Sequence, residues 1–136
     1  MKRVKGSALL WAVGVLAVML IVVSGVLALS ESYAQAELRE IAESQAISYA
    51  RAGIELTAAE IESGDVHSAL IPQKQMEQQI IIEMETGACT VTIYHNAAEN
   101  RLELSASSTV GDVTETLCAE MTAYGGGFRF DGFTGN

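Results

Sequence analysis

Proline is almost missing from this chain, and Pro72 is its only occurrence. No proline therefore interrupts a helix anywhere in residues 7–62. Cysteine is nearly as scarce: Cys89 and Cys118 are the two. They lack CxxC-type spacing, which speaks against a metal site. Two histidines, His67 and His95, read as solvent-exposed loop residues. No nucleophile elbow, phosphate loop or zinc motif accompanies them. No catalytic residue, metal or cofactor is expected. Basic residues are few as well, 8 against 17 acidic, for a formal net charge of -9. Lys2, Arg3 and Lys5 already account for part of that small basic set. The remainder is strongly acidic, which argues against binding nucleic-acid phosphate or an anionic membrane surface. Such a surface keeps exposed domains soluble and mutually repelling.

Charge itself is missing between Lys5 and Glu31. Residues 7–29 are almost wholly apolar, and as a helix they would span roughly 35 Å at about 1.5 Å per residue. A bilayer core is about 30 Å thick. Lipid obliges the backbone to satisfy its own hydrogen bonds, so a helix is the expected conformer. The basic residues precede the run, while Glu31, Glu37, Glu40 and Glu43 follow it. This asymmetry puts the N-terminus in the cytoplasm and the rest outside the cytoplasmic membrane. Three readings compete. A secretory signal peptide could be cut near Ala34, Gln35 and Ala36, although the apolar run is longer than such signals use. A single-pass anchor would stay uncut. A cut after Gly6 would remove only the basic leader and leave the helix in place.

A basic leader ending in Gly6, with the apolar helix starting at Ser7, resembles the type IV pilin and pseudopilin family. The resemblance implies cleavage between Gly6 and Ser7 by prepilin peptidase and methylation of Ser7. It implies assembly through the apolar helix, including Leu9, Leu10 and Trp11. Its partners would be membrane lipid before assembly and other pilin or pseudopilin subunits afterwards. In that family the fifth mature residue is usually a glutamate that pairs with a neighbouring N-terminal amine. Here the position is Trp11, and an indole cannot compensate an ammonium. Tip-type minor pseudopilins, similar to the K-type subunit of type II secretion, also lack this glutamate. Trp11 equally suits an aromatic at a membrane interface.

Residues 30–62 read as a continuation of the helix. Leu38, Ala42, Ala46, Tyr49, Gly53, Ile54, Ala58 and Ile61 recur at steps of three or four and mark one face. Residues 45–55 also look like minor pseudopilin helices. Ser63, Gly64 and Asp65 read as a stop. Residues 63–78 are expected to be a linker. From residue 79 to 122 the period changes to two. Ile80, Ile82 and Met84 form one inward set, Cys89, Val91 and Ile93 the next, then Leu102, Leu104 and Ala106. In residues 113–121 the inward set is Val113, Leu117, Ala119 and Met121. Turn signals between these runs predict an antiparallel meander with one buried face. The amphipathic half of the helix is its natural cover.

Cys89 and Cys118 form a candidate disulfide on the oxidising side of the membrane. A simple meander opposes it, placing them on opposite faces of strands more than about 9 Å apart. His95 opens a polar loop in this reading. Residues 123–136 form a Gly/Phe-rich tail, read either as a frayed end tucked onto the domain or as a partner-binding arm or edge strand. The expected fold class is α+β, with a long N-terminal helix packed on a small antiparallel sheet. The expected role is that of a minor structural subunit of a pilus or secretion-type pseudopilus, not an enzyme. The alternative is an uncut membrane protein whose acidic outer domain binds a partner.

Overall fold

A computed structural model describes residues 3–64 and 76–134. Helix α1 spans Arg3–Ser63. Five strands follow: β1 Glu77–Met84, β2 Gly87–Asn96, β3 Arg101–Val110, β4 Val113–Tyr124 and β5 Gly127–Thr134. The expected α+β class is what the chain adopts. Its contacts divide it into two compact units, Met1–Arg39 and Glu40–Asn136.

In the first unit the helix is apolar and bare. Large side chains from Leu9 to Leu29 are exposed, from 46% at Val15 to 76% at Trp11. No part of the most apolar window is buried, and the helix is long and apolar enough to cross a membrane. The Ser24 hydroxyl donates to the Leu20 carbonyl at 2.6 Å, so this polar group is satisfied within the helix.

In the second unit α1 covers one face of the sheet. Ala46, Ala50, Gly53, Ile54, Thr57, Ala58 and Ile61 are buried. The expected stripe is present from Ala46 onward, whereas Leu38 is 65% exposed. Ala50 and Thr57 join the face unannounced. Threonine is buried because its hydroxyl donates back to the Gly53 carbonyl at 2.8 Å. Gly53 lets the helix approach closely, since a Cβ there would lie 2.6 Å from Cys89 Sγ. Helix α1 stops before Gly64, whose φ of 74° suits a helix-terminating glycine.

The sheet is a simple meander in the order β1-β2-β3-β4-β5, all antiparallel. Its inward residues are those the alternation selected. Cys89, Val91, Ile93, Leu102, Leu104, Ala106, Ala119 and Met121 are buried, with Ile80, Ile82, Met84 and Leu117 packed beside them. Each fully buried aliphatic side chain contributes about 1.5–3 kcal/mol.

Several boundaries differ from the sequence reading. Strand β1 begins at Glu77, inside the expected linker, and β4 runs on to Tyr124. The expected tail is largely strand. Gly125 and Gly126, both at positive φ, turn the chain, and β5 pairs with β4. Phe128, Phe130 and Phe133 then pack on the core. Burial of these rings offsets the disorder a glycine-rich end would otherwise favour. Pro72 and His67 lie outside the described residues.

Candidate functional site

The residues that the resemblance singles out share the exposed N-terminal stretch of α1. Leu9, Leu10 and Trp11 are 69%, 75% and 76% exposed. Gly6 has open space where a side chain would begin. Ser7, Trp11, Gly14 and Val18 line an open apolar hollow of about 640 Å³ along one face. Spacings of three and four residues put these side chains on one side of the helix. Small residues at Ser7 and Gly14 lower that side, while Leu10, Trp11 and Val15 rise around them. The hollow has helix on one side only, so it suits a neighbouring helix better than an enclosed small molecule. Chemically it offers apolar contact and one hydroxyl.

The sheet's uncovered face is different in kind. A cleft of about 310 Å³ there is lined by Glu77, Tyr94, Glu103, Ser105, Cys118 and Glu120, among others. Arg101 pairs with two of its carboxylates, 3.3 Å from Glu103 and 3.5 Å from Glu120, and also lies 2.6 Å from Glu99. Cys118 Sγ is 3.9 Å from Ser105 Oγ, a weak thiol–hydroxyl contact. Among the described residues no group of His, Cys, Asp and Glu is placed to hold a metal ion.

Cys89 and Cys118 are both free thiols and are not brought together. Strand β3 separates their strands, and Cys89 faces α1 while Cys118 lines the outer cleft. This corrects the candidate disulfide, and the opposed facing is its physical reason. Burial pushes the Cys89 thiol above its ordinary range by disfavouring the thiolate.

His95 also needs correction. It belongs to β2 rather than to a loop, is 9% exposed, and meets Phe128 edge-to-face at 5.6 Å. The strand extends because His95 pairs with Leu102 and its backbone N–H donates to the Met76 carbonyl at 3.5 Å. Sequence reasoning likewise missed the clasp between α1 and β5. Glu62 Oε1 accepts the Phe130 N–H at 2.7 Å, and the Arg51 guanidinium lies 5.0 Å from the Phe133 ring centre. Charged residues on a helix flank read as solvated, so only the three phenylalanines signalled that the C-terminal end could pack.

No family model, curated protein or solved structure matches the chain. The class rests on the architecture, which is pilin-like: a hydrophobic N-terminal helix, and an antiparallel sheet covered by the helix's C-terminal half.

Proposed function

We propose that this protein is a minor structural subunit of a type IV pilus or type II secretion-like pseudopilus. One observation carries the reading. A single helix supplies an exposed apolar run and, further along, the small-residue face that covers a meander sheet. The apolar run costs free energy in water and needs either lipid or neighbouring helices around it. The precursor waits in the cytoplasmic membrane with its N-terminus inside. Prepilin peptidase cuts between Gly6 and Ser7, Ser7 is methylated, and neighbouring pilin subunits then replace lipid around Leu9, Leu10 and Trp11. Trp11 at the position of the usual glutamate favours a site at the filament tip, where no preceding subunit presents an amine. On this reading the protein has no enzymatic activity and does not contact nucleic acid.

Mass spectrometry of the N-terminus tests this directly in cells that hold the peptidase. A polypeptide beginning at methylated Ser7 is expected, and Gly6→Leu should leave the leader attached. An intact Met1 terminus would instead support an uncut anchor with an acidic partner-binding domain.

A further inference from the structure

The sheet has two outer edges, β1 and β5, and among the described residues only the β5 edge is guarded. At β5 the edge is closed in several ways. The Phe130 N–H, which points away from β4, is taken by Glu62 of the helix. Irregular pairing between Glu120 and Met121, with Gly132 at a φ of 140°, bends the strand there. Arg129 and Asp131 add charges of both signs. These are the devices that keep strand edges from pairing with other chains.

Among the described residues strand β1 has neither the clasp nor the bulge, and its charges, Glu77 and Glu83, are of one sign. Its sequence contains no proline and no lysine, and its register against β2 is unbroken from Glu77 to Met84. Its outward groups can be assigned. Met76 accepts from the His95 N–H, and Met84 pairs with Gly87 across a two-residue turn. Backbone groups alternate along an antiparallel strand. Even-numbered residues of β1 therefore address β2, and the N–H and C=O of Gln79, Ile81 and Glu83 point to the open edge. Among the described residues nothing pairs with that edge. Ile81, at its centre, is 71% exposed. Glu77 and Glu83 flank it on the same face, and neither enters an ion pair among the described residues.

We propose that the β1 edge docks an extended basic segment of a partner polypeptide, which joins the sheet beyond β1. Backbone pairing supplies the affinity, and side chains on alternate positions supply the selection. Inward positions of the incoming strand extend the apolar row of Ile80, Ile82 and Met84. Outward positions place lysine or arginine against Glu77 and Glu83, with a β-branched residue beside Ile81. A second copy of β1 fits poorly, because antiparallel pairing centred on Ile81 sets Glu77 opposite Glu85. This site is distinct from the exposed apolar helix and goes beyond the filament reading.

The test uses the full chain in detergent micelles and the peptide acetyl-Lys-Val-Thr-Ile-Thr-Val-Lys-amide. Its lysines have the same spacing as Glu77 and Glu83. Amide exchange at Gln79, Ile81 and Glu83 should slow about tenfold or more with peptide, while Ile80 and Ile82 stay unchanged. Replacing both peptide lysines with glutamate should remove the effect. Ile81→Pro deletes an outward N–H without touching the β2 ladder and should abolish binding. Should that variant unfold, the double change Glu77→Lys and Glu83→Lys must switch preference to the glutamate peptide. No slowing with the lysine peptide, equal binding of both peptides, or full binding by a folded Ile81→Pro chain would overturn the proposal. So would a dimer in sedimentation that Ile81→Pro dissociates, since a second copy would then own the edge.

Discussion

Gly53 and Gly87 show how little room the interior leaves. A Cβ on Gly53 would sit 2.6 Å from Cys89 Sγ and 3.2 Å from Val91 Cγ2. Both atoms belong to side chains, so partial relief is available. Gly53→Ala is expected to cost about 1–3 kcal/mol in urea unfolding, the usual range for overpacking. At Gly87 the same atom would lie 2.2 Å from the Thr109 carbonyl oxygen, which the β2–β3 ladder holds in place. Gly87→Ala should therefore lose more than Gly53→Ala under the same measurement, and the reverse order would contradict the packing described. Cys89 makes a pH-dependent prediction. Burial raises its thiol above the ordinary value of 9.0, so the folded state holds the proton more tightly than the unfolded one. Its contribution is complete below that ordinary value and is lost as pH rises from it through the raised value of the folded state. Melting curves from neutral pH to above 9 should fall less steeply for Cys89→Ala than for the parent, after normalising each to its neutral-pH midpoint.

Beyond its ladder with β4 and its core-packed phenylalanines, strand β5 is held by contacts at its rim. Glu62 takes the Phe130 N–H, Arg51 lies over Phe133, and Thr122 Oγ1 bonds Asp131 Oδ2. Arg51 also pairs with Glu55 at 3.4 Å, but both side chains are more than half exposed. Exposed ion pairs of this kind contribute about 0.2–1 kcal/mol. Glu62→Ala should thus cost only about 1 kcal/mol globally while greatly speeding amide exchange at Phe130. Unchanged Phe130 exchange would remove the clasp from the account. The same strand marks where sequence reading stopped. Strands β1 to β4 announced themselves because each has one buried face, and alternation such as Cys89, Val91, Ile93 follows directly from that. The helix face from Ala46 to Ile61 was legible for the parallel reason at a period near 3.6. In β5 the phenylalanines sit among glycines and a bulge breaks the period, so the pattern carried no strand signal. His95 was hidden likewise, since a polar residue at a strand end resembles the start of a loop. Of the candidate site, the exposed apolar residues Leu9, Leu10 and Trp11 were legible from hydropathy alone. The outward backbone groups of β1 were not, because backbone direction depends on pairing partners that only the folded chain defines.

At the scale of the whole molecule, the apolar run and the core are separate investments of hydrophobic surface. Every core residue lies between Ala46 and Met121, and the aromatic side chains packed beside them extend only to Phe133. Large side chains from Leu9 to Leu29 stay at least 46% exposed. Folding of the acidic domain should consequently not depend on them. Residues 40–136, expressed without the preceding helix, are expected to remain monomeric in water and to unfold in one cooperative step. The midpoint should fall within a few degrees of the domain transition of the full chain in mild detergent. Removing residues 40–56 as well would strip Ala46, Ala50, Gly53 and Ile54 from the sheet. It would uncover Cys89, Val91 and neighbouring side chains, each worth about 1.5–3 kcal/mol when buried. Against a typical total stability of about 5–15 kcal/mol, that second truncation should abolish the transition. Circular dichroism melting of the two fragments separates the outcomes. If the longer fragment fails to fold, the apolar helix is part of the domain's own stability. Its role would then be more than to wait for lipid or a neighbouring helix.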